Sequence, residues 1–168
     1  LGINVTLVEA AEQLMNPFDG DMASFIHAEM RKNGINLMLN TMVEGFSETD
    51  HGIDVKIKNA SAIHTDMVVM AIGVLPETTL AKEAGLELGI KGSIVVNHRM
   101  ETSVPDIYAV GDAVQIRNFV TDTDTLLSLA GPANKQGRIA ADNICGGDSH
   151  YTGGQGSSVI KIFDMTAA

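Results

Sequence analysis

The chain predicts an α/β fold: a partial doubly wound unit carrying an antiparallel β-meander, followed by a second α/β segment. Three observations predict it. A strand-helix-strand pattern runs from Asn4 to Leu39, a period-two meander follows from Met42 to Ile57, and a compact apolar strand, Ile107 to Val110, ends on Gly111 and Asp112. Open α/β sheets take their ligands beyond the carboxyl ends of strands. Glu9, at the end of the first strand, and Asp112 are therefore the first candidate site residues.

Each element has a local reason. Asn4 to Val8 is rich in β-branched and leucine side chains, a buried strand with Glu9 at its end. Asp19 can cap a helix beginning near Gly20; Met22, Phe25, Ile26 and Met30 share one face at helical spacing, and Gly34 stops it. Ile35, Leu37 and Leu39 then alternate, as do Ile53, Val55 and Ile57, with a turn at Asp50, His51 and Gly52 between the meander strands. Met67 to Ile72 is continuously apolar and ends in Gly73, which predicts another buried strand, in the same parallel sheet as Asn4 to Glu9. A compositional seam falls near Gly73 to Thr79. Thr79 can cap a short helix through Ala84, ended by Gly85; Ile94 to Val96 and Ile107 to Val110 are the next short strands. Asn118 to Thr125 is polar and reads as a surface loop. Pro132 suits the first turn of a helix reaching about Cys145, stopped by Gly146 and Gly147. Ser157 to Phe163 closes the chain as a strand with no partner after it.

Composition narrows the function. The 168 residues, 45% of them hydrophobic, suffice for one ordinary domain or two small ones. A formal charge of -10 argues against a nucleic-acid partner, and five Phe, two Tyr and no Trp leave little for base stacking. No run of about 18 apolar residues predicts a membrane span, and no basic-then-apolar leader is visible. One cysteine, Cys145, allows neither an internal disulfide nor a CxxC pair, which suits a cytoplasmic setting. None of the five histidines has metal-ligand spacing, so no metal is expected. Asn134, Lys135, Gln136 and Arg138 read as a solvated helix face, and the methionines as gap fillers.

The stretch Thr102 to Ala113, T-S-V-P-D-I-Y-A-V-G-D-A, is the most specific string. Glycine lets backbone approach a ligand closely. The acid after it has two readings: a ligand contact, or an N-cap for a helix starting at Ala113. The full string resembles the second flavin motif of the flavoprotein disulfide reductases. The resemblance implies that Asp112 hydrogen-bonds the ribityl chain of FAD and that Gly111 admits the cofactor. Glu9 likewise has two readings, an exposed strand-end carboxylate or an acceptor for the adenosine ribose hydroxyls of NAD(H) that repels a 2′-phosphate. The glycine fingerprint that precedes such an acid by about 20 residues is not in this sequence.

Three further strings extend the resemblance over nearly the whole chain. V-V-M-A-I-G-V-L-P-E, Val68 to Glu77, resembles the family's A-x-G-x-x-P crossing, and implies that Gly73 lets the nicotinamide end lie against backbone. Glu77 stands where many relatives have asparagine, a departure shared with some members of the coenzyme A disulfide reductase and NADH oxidase branch. L-A-G-P-A-N-K-Q-G-R, Leu129 to Arg138, resembles the helix whose start faces the flavin ring in that branch, implying backbone contacts from Leu129 and Ala130. S-V-I-K-I-F-D, Ser158 to Asp164, resembles the beginning of the family's C-terminal interface domain.

As the resemblance has it, residues 1–76 are a truncated NAD(H)-binding domain, 77–150 the C-terminal segment of an FAD-binding domain, and 151–168 the start of an interface domain. The implied parent is an FAD-dependent pyridine nucleotide-disulfide oxidoreductase. It passes hydride from NADH through FAD to a small-molecule disulfide or persulfide such as coenzyme A disulfide, or, as an alternative, to dioxygen. The family's reactive cysteine is not in this sequence, so no catalytic residue is assigned. Cys145 reads as structural. The piece alone is expected to be inactive and either to self-associate over its open sheet edges or to collapse around the gap, with a homo-oligomer expected for the parent.

Overall fold

The computed structural model describes residues 2–168. The chain folds as two compact units, Leu1–Ala71 with Ser158–Ala168, and Ile72–Ser157.

In the first unit, β1 (Thr6–Val8) pairs in parallel with β2 (Asn36–Met38), in the register Thr6 to Asn36. Between them runs α1 (Gly20–Lys32), with Asp19 at its N-cap. Asp19 caps only through its carbonyl, which accepts the Ala23 N–H; its side chain makes no capping bond. The apolar face differs from the expected one. Ala23, Ile26 and His27 are buried, while Met22 and Phe25 are more than half exposed. Ala23, Ile26, His27 and Met30 are spaced three and four apart, so the covered stripe is shifted by one position from the stripe read on side-chain size.

The meander is present. β3 (Val43–Thr49) and β4 (Gly52–Ile57) pair antiparallel, and β5 (Ile63–Thr65) pairs with the other edge of β4. Val55 and Ile57 are buried and Lys56 is exposed, the period-two pattern of a half-covered sheet. Gly52 is required here. Its φ is 146°, and a Cβ would lie 2.6 Å from the Thr65 carbonyl oxygen.

Met67 to Ile72 is not a strand. It carries no ladder, and Met67, Val69, Met70 and Ile72 are 58–86% exposed. An apolar run becomes a buried strand only when neighbouring strands take its N–H and C=O groups. No described strand lies beside this one, so the expected membership of the β1 sheet fails.

In the second unit, α2 (Thr79–Glu83) begins at Thr79 itself, with Thr78 at the N-cap. Ile94 to Val96 and Ile107 to Val110 make only isolated bridges, Ile94 to Val114 and Leu88, and Tyr108 to Glu101. Ile107 and Val110 are about 40% exposed rather than buried. Asn118 to Thr125 is a hairpin, not a loop: β6 (Ile116–Asn118) pairs antiparallel with β7 (Thr123–Thr125). Arg117 on β6 pairs with Asp122 and Asp124, which explains the two aspartates. α3 (Ala130–Ile144) carries Pro132 in its first turn and ends at Cys145 before Gly146, close to expectation. The core is Met100, Val114, Ile116, Ala140 and Tyr151, so α3 covers the bridges through its Ala140 face.

The terminal segment Ser157 to Phe163 does find a partner. β8 (Ile160–Ile162) folds back onto β9 (Met165–Ala167) as a hairpin, and it groups with the first unit. A turn at Phe163 and Asp164 brings the next residues of the chain back as the partner that the sequence pattern does not reveal.

Candidate cofactor site

The second unit brings two of the sequence-predicted features together. Gly111 has a φ of 88°, a left-handed conformation that a side chain would strain, and the position a Cβ would take has no atom within 4 Å. The glycine thus presents open backbone rather than a packed turn. Its N–H donates to Oε1 of Gln136, 25 residues on, at 2.7 Å. Gln136 lies on α3 and is 1% exposed. This bond ties the Gly111-Asp112 turn to the helix two turns from its start. The sequence pattern places Gln136 on a solvated face, and the structure corrects that.

Asp112 is exposed, and among the described residues its carboxylate accepts no hydrogen bond. No helix follows it: Asp112 and Ala113 form a turn, and Val114 bridges Ile94. The N-cap reading therefore fails, and the carboxylate remains a free acceptor. Backbone on both sides is engaged instead, with the Ala113 carbonyl accepting the Ile94 N–H at 2.8 Å.

The start of α3 is equally unfilled. Leu129 sits at the N-cap with φ -132° and ψ 141° and supplies no side-chain cap. Ala133 N–H reaches the Leu129 carbonyl, Pro132 has no N–H, and the amides of Ala130 and Gly131 have no acceptor among the described residues. Leu129 and Ala130 are exposed. An uncapped helix start carries partial positive charge and free donors. A free carboxylate, an open glycine and free amides on one tied framework suit a ligand with a polyol chain and an electron-rich heterocycle. The residues present fit FAD.

Glu9 belongs to the first unit. Its N–H donates to the Met38 carbonyl and its carbonyl accepts the Thr41 N–H, both at 2.9 Å, which anchors it past the end of β1. The Ala11 N–H donates to its Oε1 at 2.8 Å, and Oε2 has no partner among the described residues. The side chain is half-buried and oriented, with one oxygen left over, as a diol acceptor requires. Gly73 stands in an irregular, exposed segment with nothing within 4 Å of its Cβ position; the structure brings no other candidate residue to it.

The remaining chemistry-bearing groups have local explanations. Cys145 is exposed at the end of α3. His64 pairs with Asp54 across β4 and β5, and this hydrogen bond raises its pKa. His98 and His150 stack edge to face at 4.5 Å, and Asp148 takes His150 and Arg99, which lowers the Asp148 pKa. No group of three metal-ligating side chains occurs among the described residues, and no helix there is long and apolar enough to cross a membrane. His27 is buried, where its place beside the helix stripe predicts a surface or half-buried ring. Its partner, the Leu14 N–H, lies 13 residues before it, and no sequence signal marks that pairing.

Residues 1–137 match the family model described as pyridine nucleotide-disulphide oxidoreductase. An NADH oxidase of Methanocaldococcus jannaschii is 38% identical over 98% of the chain and 36% of its own length. A coenzyme A disulfide reductase of Staphylococcus aureus is 30% identical over 99% of the chain and 37% of its length. The chain thus spans a little over a third of these curated relatives. Among solved structures, reduced Bacillus anthracis CoADR-RHD superimposes with a TM-score of 0.91 at 49% identity, covering 98% of this chain and 29% of that one. An NAD-dependent persulfide reductase from A. fulgidus gives 0.92 at 34% identity, covering 98% and 30%. The sequence and structural matches together show that this chain belongs to the pyridine nucleotide-disulphide oxidoreductase family.

Proposed function

We propose that the chain is the part of an FAD-dependent oxidoreductase that holds the flavin from its ribityl and ring sides and selects NADH, in an enzyme that reduces a small disulfide or persulfide. The observation that carries the reading is the Gly111 N–H to Gln136 bond, because it fixes a free carboxylate and an unfilled helix start on one framework. FAD bound there supplies a carrier that accepts hydride from a nicotinamide and passes electrons to sulfur or oxygen.

The chain's own residues bind and orient. Asp112 accepts from ribityl hydroxyls, a charge-assisted bond. Gly111 keeps that approach open, since any Cβ would project into it. The Ala130 and Gly131 amides and the helix start would donate to a ring that gains negative charge on reduction, favouring the reduced form. Glu9 accepts from the adenosine ribose diol of NADH through Oε2 and repels a 2′-phosphate. Gly73 offers backbone to the nicotinamide end. Sulfur is favoured as acceptor by the 49% identity to CoADR-RHD and the resemblance to a persulfide reductase. The dioxygen reading is supported by the 38% identity to an NADH oxidase.

The test is a graft. These residues replace the matching segment of Bacillus anthracis CoADR-RHD, and flavin content and NADH-dependent turnover are measured with coenzyme A disulfide and with dioxygen. The expected product is yellow and reduces the disulfide. Oxygen consumption without disulfide reduction moves the assignment to the oxidase reading. A folded graft without flavin refutes the cofactor reading.

A further inference from the structure

We infer that His27, a buried imidazole, is a positioning residue for dinucleotide selection: its neutral ring holds the segment after Glu9 so that the Glu9 carboxylate faces the ribose. The inference rests on the reading of Glu9 as a ribose acceptor. Its own basis is a path of contacts within the first unit.

The segment Ala10 to Phe18 has no regular secondary structure and is mostly exposed at its edges. Several hydrogen bonds hold it. The Ala11 carbonyl accepts the Asn40 N–H at 2.9 Å, the Gln13 side-chain amide donates to the Phe18 carbonyl at 2.7 Å, and the Leu14 N–H donates to Nε2 of His27 at 3.0 Å. Among the described residues, only the last of these joins the middle of the segment to α1 by a hydrogen bond. Leu14 and His27 are both buried there, so water does not replace the acceptor readily. The Ala11 N–H at the head of the same segment pins Glu9 Oε1 and leaves Oε2 for the ligand. Holding Leu14 therefore limits how far Ala11, three residues earlier, can withdraw from Glu9.

An Nε2 that accepts must carry no proton, so the ring is neutral with its proton on Nδ1. Burial, and secondarily the charge of Arg31 one turn along α1, lowers the His27 pKa and favours that state. Phenylalanine would fill the space and supply no acceptor. Glutamine can present an oxygen to the Leu14 N–H.

Two measurements test this, one without turnover. In the 168-residue chain, nitrogen NMR of His27 is expected to show a protonated Nδ1 and a bare Nε2. The Leu14 amide is expected to be protected from exchange and to lose about fivefold protection in His27→Phe, the value of one ordinary hydrogen bond. In the graft, His27→Phe is expected to raise the KM for NADH about fivefold at unchanged kcat and to narrow the preference over NADPH, and His27→Gln to restore both. Glu9→Ala is run beside them. If Glu9→Ala leaves the nucleotide preference unchanged, the Glu9 reading fails and takes this inference with it. If Glu9→Ala abolishes the preference while His27→Phe leaves it intact, or if the NMR shows a protonated Nε2, the His27 role fails alone. Should His27→Phe not fold, His27→Gln and the tautomer of the unchanged chain decide the matter.

Discussion

Replacing Gln136 by leucine removes an acceptor and almost no volume. Gln136 is 1% exposed and its Oε1 takes the Gly111 N–H at 2.7 Å, so the lost bond is short and dry. A net hydrogen bond is worth about 1 kcal/mol, and a stranded buried donor costs about 1–3 kcal/mol. Gly111 is only half-buried, so water recovers part of that penalty, and leucine is relieved of desolvating an amide. The balance is a loss of about 1–2 kcal/mol in the second unit. For a unit of that size each kcal/mol moves the melting midpoint by roughly 4–8 °C. Gln136→Leu should therefore melt at least about 4 °C below the unchanged chain, with the Gly111 amide losing exchange protection beyond the global change. In the graft the same substitution should weaken FAD retention about tenfold, because the Asp112 turn is no longer fixed to α3. A variant with unchanged midpoint and a still-protected Gly111 amide refutes the tie. A variant that loosens Gly111 yet keeps FAD as tightly refutes its part in the flavin site.

Asp112→Asn should leave the stability of the chain within about 0.5 kcal/mol while weakening FAD binding by the graft about tenfold; an unchanged flavin affinity would refute the charged contact with the ribityl chain. The His27 pKa is lowered in the fold, so the native state binds that proton less readily than the unfolded chain. Its contribution is complete above about pH 6.5, the ordinary imidazole value, and is lost as pH falls through the folded-state value. Urea unfolding of the chain and of His27→Gln should accordingly diverge in slope below that pH, and parallel slopes would contradict it. His64 runs the other way: its bond to Asp54 raises its pKa, so that pair stabilises below about pH 6.5 and ceases to do so as pH rises through the folded value. Asp54→Ala should return the His64 titration towards its ordinary value, read by NMR. Ile72→Asp should change the stability of the chain by less than about 0.5 kcal/mol, because that side chain is 86% exposed; a large loss would mean the run is packed after all.

The sequence by itself determined the elements whose cause is local. α1 and α3 follow from helical spacing between a starting residue and a stopping glycine, and β3 and β4 follow from alternation about the Asp50-His51-Gly52 turn. The string ending in Gly111 and Asp112 also named a candidate, because a glycine beside an acid at a strand's end can be read from residue types alone. Tertiary structure decided everything that depended on a partner distant in the chain. Met67 to Ile72 is as apolar as any buried strand, and it is exposed because strand formation needs neighbouring backbone, which composition does not report. The hairpin of β6 and β7 was hidden by polar residues that pair with Arg117 rather than with water alone. Gln136 read as part of a solvated helix face, and His27 as a surface or half-buried ring beside the helix stripe; their roles arise from amides 25 and 13 residues away. A hydrogen bond is set by the distance between two atoms in space, and only packing of α3 against the Gly111 turn, and of α1 against the segment after Glu9, brings those atoms together.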